Sequence, residues 1–249
     1  MMKETRHQLI LNELEEHGVI SVRELRKKLA VTDMTIRRDL IELEEQDLLI
    51  RVHGGAHRKV QVSFNEVSHD EKTTINVELK RQIARKCADI IVDGDTIFLG
   101  AGTTTSLIAD YLGQKKVSIV TNSLPIFEML KEKPNLDMIL IGGRYRVKTQ
   151  TFVGQFANRL LKEIKVGKAF IGVNGIDGDQ VTTANEEEGN GNAIILDNAI
   201  DKYLVADHTK LDSYSFYTFY HLQQIRAIVT DDLVTAEVKN RYQKYTKVL

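Results

Sequence analysis

Cysteine is nearly absent. Cys87 is the only one in 249 residues, which excludes an internal disulfide framework and any multi-cysteine zinc site. Long apolar runs are missing too: stretches such as Met138-Ile139-Leu140-Ile141 are far too short to cross a bilayer. The first twenty residues set Lys3, Glu4, Arg6, Glu13, Glu15 and Glu16 among the apolar positions, so no signal peptide is expected and the cytoplasm is the expected location. An excess of either charge is also lacking. With 34 basic and 35 acidic side chains the formal net charge is -1, which taken alone argues against a nucleic-acid partner. What is present is a globular composition, 42% hydrophobic and 28% charged, suited to one large domain or two ordinary ones.

Charge order says more than the average. Residues 1–60 hold equal numbers of bases and acids, but the bases gather at 23–28, 37–38 and 51–59 while the acids crowd into 13–16 and 42–47. A neutral segment sorted in this way can present one basic face.

The same segment has helical punctuation. Ile10, Leu11 and Leu14 form an apolar face that ends near Gly18. Ser21 and Glu24 make a capping box, with Val22, Leu25 and Leu29 as the buried stripe behind it. Only Ala30 and Val31 then precede Thr32, the expected N-cap of a third helix whose core stripe is Ile36, Leu40 and Leu43. Two amphipathic helices joined so tightly read as a helix-turn-helix. With that stripe inward, Met34 and Arg38 lie nearly opposite it and Thr35 and Arg37 on the flanks. This is the end of a recognition helix that enters the major groove, where Arg reaches guanine O6 and N7. Asp39, beside the core stripe, is expected to pair with a neighbouring base.

After Asp47 the period becomes two. Leu48, Ile50 and Val52 alternate with Leu49, Arg51 and His53, and Gly54-Gly55 marks a reversal. A hairpin wing is expected, its outward Arg51 and His53, then His57, Arg58 and Lys59, reaching phosphates that hold register without reading sequence. The competing reading is a small helical domain whose Arg37-Arg38 pair is merely solvated. Cap, short turn, outward arginines and glycine wing in this order favour DNA. The expected DNA-binding set is Thr32, Met34, Thr35, Arg37, Arg38, Arg51, His53, Gly54 and Arg58.

Residues 59–75 are polar and aperiodic, and the hinge is expected there, between a domain at 1–58 and another at 76–249. From Lys80 strands alternate with helices. The strands are expected at Thr96–Leu99, Val117–Val120, Met138–Ile141, Ala169–Val173, Tyr203–Ala206 and Ala227–Val229, and the helices around 104–112, 124–132, 155–163 and 193–200. That alternation predicts an α/β layer on a largely parallel sheet, with ligands at the carboxyl ends of its strands. Gly100-Ala101-Gly102-Thr103-Thr104-Thr105 follows the first strand and opens a helix, a chemistry suited to phosphate; the same loop also reads as a tight turn with a cap. It lacks the lysine of a Walker A loop. Asn122, Gly142-Gly143-Arg144 and Asp207-His208-Thr209-Lys210 follow other strands. The expected effector set is Gly100 to Thr105, Asn122, Gly142, Gly143, Arg144, Asp207 and Lys210.

Thr32-Asp33-Met34-Thr35-Ile36-Arg37-Arg38-Asp39-Leu40, then Arg51-Val52-His53-Gly54-Gly55-Ala56, resembles the DeoR-type bacterial transcriptional regulators, and the resemblance extends over nearly the whole chain. It implies a winged helix-turn-helix followed by an α/β effector domain like ribose-5-phosphate isomerase and glucosamine-6-phosphate deaminase. It also implies operator DNA and a phosphorylated sugar as partners, and a homo-oligomer. The matching effector-domain stretches are Asp93-Gly94-Asp95, Gly102-Thr103-Thr104, Thr121-Asn122-Ser123, Gly142-Gly143, Thr183 with Glu187-Glu188, and Asp207 with Lys210. Gly100 departs from an Asp in many members, and Asn192 lies where a basic residue is common. Gly100 with Asp-His-Thr-Lys at 207–210 is most similar to the lactose phosphotransferase branch in Gram-positive bacteria, which implies tagatose 6-phosphate as effector.

The alternative is a sugar-phosphate isomerase or deaminase carrying a DNA-binding domain. Val173-Asn174-Gly175-Ile176-Asp177 lacks the adjacent Asp-Glu pair of ribose-5-phosphate isomerases, and Glu186-Glu187-Glu188 reads as a solvated loop or helix start. His53 and His57 are separated by glycines that break any helix, so they make no zinc pair. Binding without turnover, with no cofactor and no metal, is the expectation.

Overall fold

The computed structural model describes every residue except Met1, Gly18, His53, Lys59, Val60, Phe64 and Asn65; the side chains of 15–17, 19, 57–58 and 61–63 also lie outside the described set. His53, and the side chains of His57 and Arg58, are therefore outside the described residues. The chain divides into two compact units, Met1–Gln61 and Val62–Leu249.

The first unit runs α1 (Lys3–His17), β1 (Val19–Ser21), α2 (Val22–Leu29), α3 (Asp33–Glu45), β2 (Leu49–Val52) and β3 (Gly55–Arg58). Its punctuation is local. Ser21 Oγ accepts from Glu24 N at 3.2 Å while the Glu24 carboxylate accepts from Ser21 N at 3.0 Å, which satisfies two end-of-helix donors at once. Ala30 adopts the left-handed conformation that stops α2 (φ 54°), and Thr32 caps α3 by accepting from Thr35 N. Ile10, Leu14, Leu25, Leu29, Ile36, Leu40 and Leu43 close into one core under the sheet.

That sheet has three strands in the order β1-β3-β2, antiparallel throughout. Gly55 is required where β3 crosses β1, because a Cβ there would sit 2.0 Å from the Ile20 carbonyl oxygen. The wing's phase differs from the expectation. Leu49 is the buried residue of β2, and Leu48, Ile50 and Val52 are exposed. Arg51 pairs across the ladder with the buried Ala56, so it shares the inner face with Leu49 and emerges only at its edge. The core has room for Leu49 and Ala56 and ends there.

In the second unit seven parallel strands form one sheet. From one edge they are Lys247–Val248, Ala227–Val229, Ala199–Val205, Val166–Gly172, Thr96–Leu99, Val117–Thr121 and Leu136–Leu140. Alternate residues of each central strand enter different cores: Phe98, Ala169, Ile171 and Leu204 on one face, Ile97, Leu99, Phe170, Tyr203 and Val205 on the other. Burial on both faces explains why these strands read as short continuous apolar runs. The helix expected near 193–200 instead spans Glu186–Asp197, capped by Asn185, and Ala199 already opens a strand. The stretch near 104–112 is the helix Thr103–Ile108 prolonged by a tighter turn to Tyr111.

Part of the expected hinge belongs to this unit. Residues from Val62 onward are counted with it, and Ser68 and Glu71 make a capping box for the helix His69–Thr73. Five residues are too few to show a helical period.

Candidate functional sites

In the first unit α3 carries the expected base-reading groups outward. Met34 is 77% exposed, the Arg38 side chain is 81% exposed, and Arg37 is exposed beside them. Thr32 and Thr35 are partly engaged with each other, their hydroxyls 2.9 Å apart. Arg37, Arg51 and Gly54 border one hollow between α3 and the wing. Arg51 is pinned, its backbone N and Nε donating to the two carboxylate oxygens of Glu44 at 3.0 and 2.6 Å. Asp39 is structural. Arg6 holds it with two hydrogen bonds of 2.7 and 2.8 Å, and His7 Nε2 lies 3.3 Å away. Burial works to raise its pKa, but the Arg6 hydrogen bonds and charge outweigh that, and the net direction is down. His7, Asp39 and Glu42 bring potential metal-ligand atoms close together; Arg6 on Asp39 and Lys3 on Glu42 already neutralise the acids.

The second unit holds a cavity of about 140 Å³ at the carboxyl ends of Thr96–Leu99, Val166–Gly172 and Ala199–Val205. This is the topological switch point. Chain order runs from Thr96–Leu99 toward one edge through Val117–Thr121 and Leu136–Leu140, then resumes on its other side with Val166–Gly172. Connections leaving a sheet in opposite directions open a crevice between them.

Ala101, Gly102, Thr103 and Thr104 form one wall, Gly172, Val173 and Asn174 a second, and Ala206, Asp207 and Lys210 a third. The first wall is held by hydroxyls: Thr105 Oγ1 lies 2.6 Å from the Gly100 carbonyl and 2.8 Å from that of Gly102, and Ser106 Oγ donates to Gly102 at 2.8 Å. Thr105 is thus buried and faces its own loop. Gly100 is backed by the core, where a Cβ would meet Ile171 Cδ1 at 2.9 Å.

Asn122, Gly142, Gly143 and Arg144 are not among the lining residues. Their strands lie on the far side of the switch point. Asn122 is buried, its Nδ2 donating to Phe152 O at 3.3 Å, and the exposed Arg144 pairs with Glu187. Gly143 packs against Val153 O and Ala157.

Residues outside the expected effector set complete the cavity, among them Thr183 and Glu188 from stretches that the family resemblance matched and Asn192 from a position where the chain departs from it. Lys72, Lys80, Thr149, Thr183, Glu188 and Asn192 all line it. Lys80 is buried, its Nζ donating to the Lys72 carbonyl. Burial pushes its pKa down to about 8, partly offset by Asp207 and reinforced by Lys210 and Lys72. Lys72 is lowered by the same cause, against the attraction of Glu188. Among the described residues no hydrogen bond or ion pair occupies the Lys72 or Lys210 ammonium. Burial raises the Glu188 carboxyl, although Thr149 donates to it and Arg146 lies 3.1 Å away. Arg146 also grips Glu66 with two bonds of 2.6 and 2.5 Å. Lys80 carried a legible signal: it stands three, four and seven residues before Ile83, Ala84 and Cys87, on the buried stripe of the helix Val77–Ile90.

A winged helix-turn-helix in one unit, and in the other a cation-lined cavity at a sheet switch point, define a DNA-binding regulator with a ligand-sensing domain. Residues 6–62 match the DeoR-like helix-turn-helix domain and residues 75–232 the DeoR C terminal sensor domain. The chain belongs to the DeoR family. It is 38% identical over 251 residues to the lactose phosphotransferase system repressor of Streptococcus mutans, with all of both chains covered. It is 40% identical over 233 residues to the protein of that name from Staphylococcus aureus, covering 93% of each. Among solved structures, ribose 5-phosphate isomerase A from Methanocaldococcus jannaschii overlaps 55% of each chain at 19% identity and a TM-score of 0.41. Among the described residues no helix is long and apolar enough to cross a membrane.

Proposed function

We propose that this chain is a cytoplasmic, oligomeric repressor of a sugar-metabolism operon that releases its operator when a phosphorylated sugar fills the switch-point cavity. The observation that carries this is the meeting of Lys72, Lys80 and Lys210 with the Ala101–Thr104 loop. Three cations converge where burial already costs two of them basicity, and an anion relieves that cost. Asn174, Asn192, Thr183 and Glu188 supply hydrogen-bonding groups for hydroxyls. The full-length similarity to lactose phosphotransferase system repressors supports the operon class, and the effector implied by the sequence resemblance, tagatose 6-phosphate, is the first to test.

The ligand is bound and not turned over. The acids of the cavity are already engaged: Asp207 Oδ1 accepts from Thr209 N at 3.1 Å and from the Thr209 hydroxyl, and Glu188 is held by Thr149 and Arg146. DNA contacts come from Met34, Thr35, Arg37 and Arg38 on bases and from Arg51 and Gly54 on the backbone, with Thr32 setting the helix start. A 100-fold loss of operator affinity needs a coupling of about 2.7 kcal/mol, within the usual allosteric range.

The test is operator binding by fluorescence anisotropy with and without a panel of sugar phosphates, tagatose 6-phosphate included. NMR follows the sugar in the same samples. One sugar phosphate is expected to weaken operator binding and remain chemically unchanged. Operator affinity indifferent to all of them, or steady conversion of one into an isomer, refutes the proposal.

A further inference from the structure

The cavity wall contains a largely buried imidazole, His69, whose two ring nitrogens make no hydrogen bond. His69 opens the helix His69–Thr73, and its backbone N–H donates to the Lys148 carbonyl at 2.8 Å. The side chain is 11% exposed, but both ring nitrogens are sealed from solvent without a hydrogen bond. The exposed part of the side chain is therefore carbon. Asp70 Oδ1 lies 3.6 Å from Nδ1, beyond hydrogen-bond reach, and receives Gln150 Nε2 at 2.7 Å instead.

Burial keeps this imidazole less basic than usual; Asp70 opposes that effect, while Lys72 and Lys80 reinforce it. The ring is thus neutral at pH 7, with one donor and one acceptor. Buried polar groups are nearly always paired, so an orphaned ring in a ligand cavity calls for a partner. A half-turn about Cβ–Cγ exchanges Nδ1 and Nε2 with Cδ2 and Cε1 inside the same outline. Such a turn presents the opposite edge of the ring to each neighbour at no cost in volume.

We propose that His69 reads a hydroxyl of the bound sugar phosphate, its ring turning on binding so that a nitrogen faces the ligand. This rests on the sugar-phosphate reading of the cavity. A hydroxyl both gives and takes a hydrogen bond, as a neutral imidazole does. A phosphate dianion only accepts, and the three lysines already face it. His69 therefore distinguishes a phosphorylated polyol from phosphate alone.

The experiment is titration calorimetry on the full chain with tagatose 6-phosphate and, separately, inorganic phosphate, for wild type, His69→Phe and His69→Gln. His69→Phe is expected to weaken the sugar phosphate about tenfold, the size of one lost hydrogen bond, and to leave inorganic phosphate within about twofold. His69→Gln, which keeps a donor and an acceptor, is expected to recover most of the loss. In wild type the ring ¹⁵N shifts should move with the sugar phosphate and not with phosphate. Equal sugar-phosphate affinity in wild type and His69→Phe, or equal weakening of both probes, overturns the role of His69. A wild-type chain that binds inorganic phosphate but no sugar phosphate overturns the cavity reading as well.

Discussion

Lys80 makes ligand affinity depend on pH in a calculable way. Its pKa is held at about 8 by burial, so it is roughly nine-tenths protonated at pH 7 and roughly one-tenth protonated at pH 9. A bound phosphate dianion keeps the ammonium charged, while free phosphate esters lose their last proton near about pH 6. Ligand affinity should therefore fall about tenfold between pH 7 and 9, a difference of about 1.4 kcal/mol. Folding stability carries the opposite sign. Because the folded pKa lies below the unfolded 10.5, the unfolded chain binds more protons between these values. The Lys80 contribution to ligand-free stability accordingly rises with pH across that window, by about 3 kcal/mol in all. Calorimetric titrations and urea melts at pH 7, 8, 9 and 10, on wild type and Lys80→Met, separate the effect from other lysines. Lys80→Met should bind sugar phosphate more weakly at pH 7 and lose this part of both slopes. Identical slopes in the two proteins would refute the reasoning.

Arg38→Ala should cost about 1–3 kcal/mol of discrimination at one operator position and leave melting and sugar-phosphate binding unchanged, as read by competition with mutated operators. Arg51→Ala should weaken binding to all sequences alike and lower the salt slope by about one unit of log K per log salt; an unchanged slope removes it from the phosphate contacts. Asp39→Ala removes the buried carboxylate that accepts two hydrogen bonds from Arg6 and should destabilise the first unit by about 1.5–3 kcal/mol in urea melts, the worth of hydrogen bonding to a charged group. Since Asp39 is held below the ordinary carboxylate range, its stabilisation is present above the unfolded value near about 3.9 and is lost as pH falls through the lower folded one.

The first unit was legible because its signals act over three or four residues. Ser21 with Glu24, the two-residue junction and the Thr32 cap each fix a boundary without distant help. The phase of the wing was not, since Leu48, Leu49, Ile50 and Val52 are apolar on both alternations. Only the opposite strand's Ala56 and the Glu44 carboxylate decide that Arg51 shares the face of Leu49. In the second unit, short apolar runs marked where strands lie but not which strands are neighbours. Val166–Gly172 inserts beside Thr96–Leu99, so the loops at 101–104 and 207–210 meet at one cavity while those at 122 and 142–144 do not. His69 and Lys72 fell in a polar stretch that resembles a hinge, and their place in the wall comes from tertiary structure alone.

The wall built by residues 67–75 bears on how the sensor can be taken apart. The family match begins at residue 75, yet Val67, His69 and Lys72 already border the cavity, and Glu66 anchors Arg146. A sensor fragment cut at the family boundary loses one flank of its binding pocket along with that anchor, whereas one beginning at Val62 retains both. Effector affinities obtained on the shorter piece would describe a gaping vessel.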